Sequence, residues 1–129
     1  MKTAVSTPDV PVMGVFTPAF RLTDGELVVC SGIVPVDRDR QTVGVGDAAV
    51  QTRQILENLR AILKAADAEL TDVVHLRVFS TDMANRQKIN GVRNEFFSDP
   101  LPASTHVQIT RLVDPEWLVE IEALAFVGR

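Results

Sequence analysis

The alternation of apolar and polar residues predicts strands in five parts of the chain. Side chains in a strand point alternately to its two faces, so a half-buried strand repeats with a period of two. The five segments are residues 19–23, 26–31, 72–80, 104–111 and 118–127. The dipeptide Asp24-Gly25 is typical of a tight hairpin turn, which predicts that the first two strands pair with each other. Residues 1–14 show no sustained period, and we expect an extended lead-in segment there.

Apolar positions spaced by three and four residues predict two helices. We expect the first to begin at Asp47, which is a suitable N-cap residue. Its apolar face contains Ile55, Leu56, Leu59, Ile62 and Leu63. The second helix follows Thr81 or Asp82 and ends before Asp99-Pro100. Its inner face contains Ile89, Val92 and Phe96. Each helix thus has one apolar face, which we expect to pack on a sheet.

The order of elements is strands, helix, strand, helix, strands, which is typical of an α+β fold with two helices on one face of a sheet. The other sheet face then displays Phe79, Leu124 and Phe126, and such a surface is too apolar to lie free in water. We therefore expect oligomerisation through the uncovered face. The length of 129 residues fits a single domain, residues 1–129.

The last two predicted strands carry the polar residues with the clearest chemical potential. A short connection between them predicts a hairpin. The polar residues on one face of that hairpin are Ser104, His106, Gln108, Glu120 and Glu122. In a symmetrical register His106 lies near Glu122, and an imidazole beside a carboxylate can transfer protons near neutral pH. A half-buried glutamate could instead hold and activate a water molecule.

Less reactive interpretations fit the same pattern. The polar residues could be cross-strand pairs on an oligomer surface, satisfied by one another and by water. A nucleophilic triad of Ser104, His106 and Glu122 is disfavoured, because residues two apart on a strand are separated by ~7 Å. Cys30 lies in an apolar strand, where a small buried hydrophobe is commoner than a reactive thiolate.

Composition and charge exclude several classes of function. The net charge of −4 and the pI near 5.1 create no field that attracts a phosphate backbone, so we expect no nucleic-acid binding. Two histidines without an HxH or HExxH spacing, and a single cysteine, predict no metal site. No apolar run is long enough for a signal peptide or a transmembrane span, so we expect a cytoplasmic protein that does not bind membranes.

Several longer segments together resemble one protein family. They are LVVCSGIVPVD, QTRQILENLRAILKAADAELTDVVHLRVFSTDM, NEFFSDPLPAS and LVEIEALA. The combination resembles the RidA/YjgF (Rid) family of reactive-intermediate deaminases. The resemblance implies a chorismate-mutase-like fold with a mostly antiparallel six-stranded sheet, and a homotrimer whose sheets form a central barrel with clefts between neighbours. It also implies hydrolysis of 2-imino or enamino acids to 2-keto acids and ammonia, without a cofactor.

The same resemblance assigns candidate site residues. Glu120 in LVEIEA matches a family glutamate that positions the attacking water, and His106, which replaces a family cysteine, is expected to act with it. The candidates for substrate binding are Ser104, Ser31, Phe16, Asn90 and Cys30. Phe16 stands where the archetype has a tyrosine, so the ring is kept while the hydroxyl is lost.

Ser104 is the main departure from the family pattern. The archetype reads PAR at this point, and its arginine binds the substrate carboxylate, whereas here Pro102 and Ala103 are followed by serine. A bidentate arginine–carboxylate contact is stronger than one neutral hydrogen bond. We therefore expect a substrate other than the archetypal 2-imino acid, and His106 or Arg111 are the candidates for binding an anion.

Three functional hypotheses follow. The first is a Rid-like hydrolase or deaminase for a reactive enamine, imine or related small molecule in a cleft between subunits. The alternative is a non-catalytic Rid-family protein that binds a small molecule or regulates. The older family labels of ribonuclease and translation inhibitor are disfavoured by the acidic pI and the lack of a basic aromatic groove.

Overall fold

The computed structural model describes all 129 residues and contains six strands and two α-helices. The strands are β1 (Lys2–Val5), β2 (Ala19–Leu22), β3 (Gly25–Ile33), β4 (Val73–Ser80), β5 (Ala103–Gln108) and β6 (Val119–Gly128). The helices are α1 (Ala48–Ala65) and α2 (Arg86–Phe96). Single turns of 3₁₀ helix precede β4 and α2, at Leu70–Asp72 and Met83–Asn85. The predicted α+β class is confirmed.

Both predicted helices are present, with differences at their ends. Asp47 caps α1, where its side chain accepts a hydrogen bond of 3.0 Å from a backbone N–H of the first turn. The predicted apolar positions that are fully buried are Ile55, Leu56, Leu59 and Leu63. Ile62 lies at the edge of the apolar face and is 44% exposed. Helix α2 begins only at Arg86, because Asp82 caps the preceding 3₁₀ turn instead.

The two N-terminal strands form a small antiparallel sheet of their own. The predicted hairpin between residues 19–23 and 26–31 is wrong, since β2 pairs with β1 and β3 pairs with β6. Asp24 does adopt a positive φ of 55°, but the chain there passes from one sheet to the other. β3 has nine residues and β6 has ten, whereas β2 has only four. β3 therefore forms a longer hydrogen-bonded ladder with β6 than it could form with β2.

The main sheet has four strands in the order β3-β6-β4-β5, so the six expected strands are divided between two sheets. The β3–β6 and β6–β4 pairs are antiparallel, whereas β4 and β5 are parallel and are connected through α2. The predicted hairpin of the last two strands is therefore wrong, because β4 lies between them. β6 carries apolar side chains on both faces and suits an inner position, while the more polar β5 takes an edge.

Both helices contribute to one core on a single face of the main sheet. The other face is uncovered and, as predicted, displays apolar side chains among its polar ones. On β3, Leu27 and Val29 are 53% and 70% exposed, and they pair in register with Phe126 and Leu124 of β6. Neither helix is both long enough and apolar enough to cross a membrane.

Candidate functional site

The predicted row of polar residues is divided between the two faces of the main sheet. Ser104 and His106 on β5 pair in register with buried core residues of β4, so their side chains lie on the helix-covered face. Glu120 and Glu122 on β6 alternate with buried core residues and lie on the uncovered face. The predicted proximity of His106 to Glu122 is therefore wrong.

A cavity of about 180 Å³ lies on the helix-covered side of β5. Its lining residues, which we call the helix-side cluster, are Val15, Phe16, Arg86, Asn90, Arg93, Ser104 and His106. Four of the residues predicted from the sequence thus lie together. At ~30 Å³ per water molecule, the cavity has room for about six waters, which suits a ligand of amino-acid size.

Arg93 is the buried charge of this cluster, and it was not predicted. Its side chain is only 7% exposed. Nη2 donates a hydrogen bond of 3.0 Å to Ser104 Oγ, and Nη1 donates one of 3.5 Å to Asn90 Oδ1. Burial, and secondarily the charge of Arg86, lower the pKa of Arg93 to about 10, so the guanidinium is still charged at neutral pH. The available signal was its spacing four residues after the buried Ile89, on the inner face of α2.

The surroundings of His106 favour the neutral form of its imidazole. Its Nε2 lies 2.8 Å from Ser80 Oγ, and its Nδ1 is buried without a hydrogen-bond partner. Burial lowers the pKa of His106, and the positive charges of Arg93 and Arg86 lower it further. No carboxylate affects the pKa of His106, and the positive charge of the cavity comes from Arg93 and Arg86.

We expect His106 to reduce stability as the pH falls below about 6.5, the ordinary pKa of histidine. Because the pKa of His106 is lowered in the native state, the unfolded chain takes up a proton first, and the free energy of unfolding decreases. His106→Gln should therefore show a shallower decrease than wild type below this pH. Denaturant unfolding at several pH values measures how the free energy of unfolding of each protein depends on pH. The difference between the two slopes reports His106, because the two proteins share every other titratable group. Equal slopes would contradict the neutral imidazole.

Glu120 lies beside an irregular part of β3. The β3–β6 ladder is interrupted where Ser31 and Gly32 leave the regular register. The glutamate fits over Gly32, since a Cβ at residue 32 would lie 2.8 Å from Glu120 Oε2. Burial raises the pKa of Glu120, and the like charge of Glu122 raises it further. We call Ser31, Gly32 and Glu120 the sheet-side cluster.

Three other candidates have different roles in the fold. Cys30 is 7% exposed within the core, and burial raises its pKa, which fits a small buried hydrophobe. Arg111 donates hydrogen bonds to carbonyl groups of its own loop. Glu122 forms an ion pair of 2.7 Å with Arg77. No three His, Cys, Asp or Glu side chains converge in a way that could hold a metal ion.

The two clusters are separated within one chain. They lie on opposite faces of the main sheet, with the helix-side cluster at the β5 edge and the sheet-side cluster between β3 and β6, at the other edge. Glu120 therefore does not reach a ligand in the cavity beside Arg93 of the same chain. The two clusters of one chain therefore do not form a single site, and each is called a half-site.

Comparisons with known proteins agree on one family. The chain matches the sequence model described as endoribonuclease L-PSP over residues 9–127. It is 39% identical over 117 residues to the 3-aminoacrylate deaminase RutC of Acinetobacter baylyi, covering 91% of this chain and 90% of that protein. It is 36% identical over 127 residues to the RutC family protein PH0854 of Pyrococcus horikoshii, covering 98% of each. The solved structure of the Rid-family protein YyfB from Yersinia pestis is similar with a TM-score of 0.89 and 27% identity, covering 98% of each chain.

Proposed function

The chain belongs to the endoribonuclease L-PSP (RidA/YjgF) family, as its sequence segments predicted, and on that premise we propose that it hydrolyses a small, reactive enamine or imine. The products are a carbonyl compound and ammonia. The observation that carries the proposal is the 39% identity to a 3-aminoacrylate deaminase, whose substrate, by its name, is an enamine with a carboxylate. The amino-acid-sized cavity supports the same size of substrate.

The proposed reaction moves only protons and one water molecule. An enamine first takes a proton on carbon and gives up one from nitrogen, and so becomes an imine. Water then adds to the imine carbon, and the resulting carbinolamine expels ammonia and leaves a carbonyl group. Glu120 accepts a proton from the attacking water and returns one to the departing amine. Its raised pKa brings the carboxyl group closer to the operating pH, which favours both transfers. No electrons are transferred, so the proposal includes no cofactor.

The proposal places the reaction between two copies of the chain. Since the two half-sites lie on opposite faces of the sheet, they can meet only when the helix-side cluster of one copy contacts the sheet-side cluster of another. Such an interface joins two different surfaces and forms a ring when the rotation between copies closes, as in the homotrimer expected from the family. The exposed Leu27 and Val29 supply apolar surface beside Glu120 for this contact.

In this arrangement the helix-side cluster binds the substrate. The ring of Phe16 supplies an apolar wall, and Asn90 and Ser104 supply neutral hydrogen-bonding groups. The neutral His106 can pass a proton to or from Ser80 through its Nε2 contact. Ser31 precedes Gly32 in the interrupted part of the β3–β6 ladder, and in the proposal it bonds to the water or to the substrate amine once the second copy is in position.

The direct test is deamination of 2-aminoacrylate, 2-iminobutyrate and 3-aminoacrylate, followed as ammonia release. The proposal predicts a rate above spontaneous hydrolysis for at least one of these compounds. A rate equal to spontaneous hydrolysis for all of them would contradict it. In that case, measurable binding of pyruvate or 2-oxobutyrate, the stable keto acids formed from the first two compounds, would favour the non-catalytic binding protein. The lost hydroxyl at Phe16 is consistent with that alternative.

A further inference from the structure

We infer that Arg93, from helix α2, is the residue that binds the anionic group of a small carboxylate ligand in the helix-side cavity. The inference rests on the proposed function only for the identity of the reaction, because the electrostatics of the cavity support carboxylate binding independently. Arg93 also supplies the positive charge that the serine at position 104 lacks. The sequence pointed to His106 or Arg111 for this role, and the structure favours neither.

The guanidinium of Arg93 is buried without a counter-ion. The ion pairs of the chain involve Arg53, Arg60, Arg77 and Arg129, and none involves Arg93. Its hydrogen-bond partners are a hydroxyl and an amide oxygen, both neutral, and the nearest charge that affects its pKa is another arginine. A buried charge without a partner is unfavourable. A carboxylate in the cavity would remove that penalty.

The unused donors of Arg93 suit a carboxylate. A guanidinium has five N–H groups in one plane, and the two bonds to Ser104 and Asn90 leave three of them unused. Two adjacent N–H groups match the two oxygens of a carboxylate. Ser104 therefore acts as a positioning residue, which accepts one bond and fixes the plane of the guanidinium.

The remaining walls of the cavity define the ligand class. Arg86, exposed at the first turn of α2, adds positive charge near the opening, and the neutral His106 adds none. No acidic side chain lines the cavity. The volume of about 180 Å³ limits the ligand to a few carbon atoms. The structure thus assigns a small monocarboxylate with its reactive carbon held away from Arg93, toward the half-site that a second copy supplies.

Calorimetric titration with 2-oxobutyrate, a stable keto acid, tests the inference without requiring turnover. We expect wild type to bind 2-oxobutyrate and to bind its neutral amide, 2-oxobutanamide, at least ~30-fold more weakly. Arg93→Gln should weaken binding of the acid by ~30-fold or more, and Arg93→Lys by a smaller factor, because lysine keeps the charge but not the planar fork. Lys88→Gln is the matched control, since it removes one charge from an exposed position of the same helix and should change nothing.

Two further variants separate ligand binding from a structural role. Arg93→Met removes an uncompensated buried charge, so its Tm should equal or exceed that of wild type while 2-oxobutyrate binding is lost. Ser104→Ala should weaken 2-oxobutyrate binding about threefold to tenfold through misplacement of the guanidinium, and Ser104→Thr, which keeps the hydroxyl, should restore it.

The outcomes distinguish this inference from the proposed function. Arg93→Gln that binds 2-oxobutyrate as wild type does would overturn the inference even if deamination is observed. A large decrease in Tm for Arg93→Met with binding retained would also overturn it. Arg93-dependent binding without any deamination would leave the inference standing and reject the proposed reaction instead.

Discussion

Replacing Glu120 with glutamine is expected to reduce deaminase turnover by ~10²–10⁴-fold, the usual contribution of a general base. Glutamine keeps the size and the hydrogen-bonding oxygen of glutamate but cannot accept a proton from water. The side chain is half-buried on the uncovered sheet face, so the substitution should leave the fold and the oligomer intact. Steady-state kinetics with the substrate found active, together with light scattering for the mass, measure the two quantities.

Glu122→Gln is the matched control for this prediction. Glu122 lies on the same strand and the same face as Glu120, two residues away, but it is paired with Arg77. We expect its turnover to remain within a few-fold of wild type. Gly32→Ala offers a second test, because the added Cβ would lie 2.8 Å from Glu120 Oε2 and would displace the carboxylate. Full activity in Glu120→Gln would remove this residue from the mechanism.

Replacing Val29 with glutamate is expected to dissociate the oligomer and to abolish turnover with it. Val29 is 70% exposed in a single chain, so the substitution should cost the isolated fold only about 0.5 kcal/mol or less. In the interface the same carboxylate would lose its water, which costs several kcal/mol, and the nearby Arg77 is already paired with Glu122. Dissociation separates Glu120 from the helix-side cavity of the neighbouring copy, and no complete site remains.

The control for the interface variant is Val113→Glu. Val113 is 85% exposed in the loop between β5 and β6 and does not lie on the uncovered sheet face. We expect this variant to keep the mass and the activity of wild type. Size-exclusion chromatography with light scattering gives the mass of both variants. An unchanged mass and activity for Val29→Glu would show that the uncovered face is not the interface.

The local elements could be predicted from the sequence because they depend on short-range patterns. The apolar face of α1 and the cap at Asp47 follow from helical spacing and from the preference of aspartate for a helix start. The apolar character of the uncovered face followed from the alternation in β6. These features need no knowledge of which strands are neighbours.

Strand pairing could not be predicted in the same way. Short connections suggested two hairpins, but β3 pairs with β6, and β4 separates β6 from β5. The choice depends on which pairing buries the most apolar surface, and that is a property of the whole chain. The error moved Ser104 and His106 to the wrong face and brought them beside glutamates of the same chain.

Arg93 shows a related limit of reasoning from sequence. The serine at position 104 indicated a lost positive charge, whereas the structure places a guanidinium 3.0 Å from its hydroxyl, from an element eleven residues earlier in the chain. A linear motif records which residue type stands at a position, but not which side chain from another element fills the same space. The inward spacing of Arg93 on α2 was the visible sign.

The central claim is that each site combines the helix-side cluster of one copy with Glu120 of another, and subunit mixing tests it most directly. Glu120→Gln and Asn90→Trp, whose indole fills the helix-side cavity, are each expected to be inactive alone. Co-expressed with different tags and purified through both, they are expected to form mixed trimers in which one cleft of three contains two intact halves. We predict about one third of the wild-type turnover per mixed trimer. Mixed trimers as inactive as their parents would show that the site does not combine two chains, and would contradict the account.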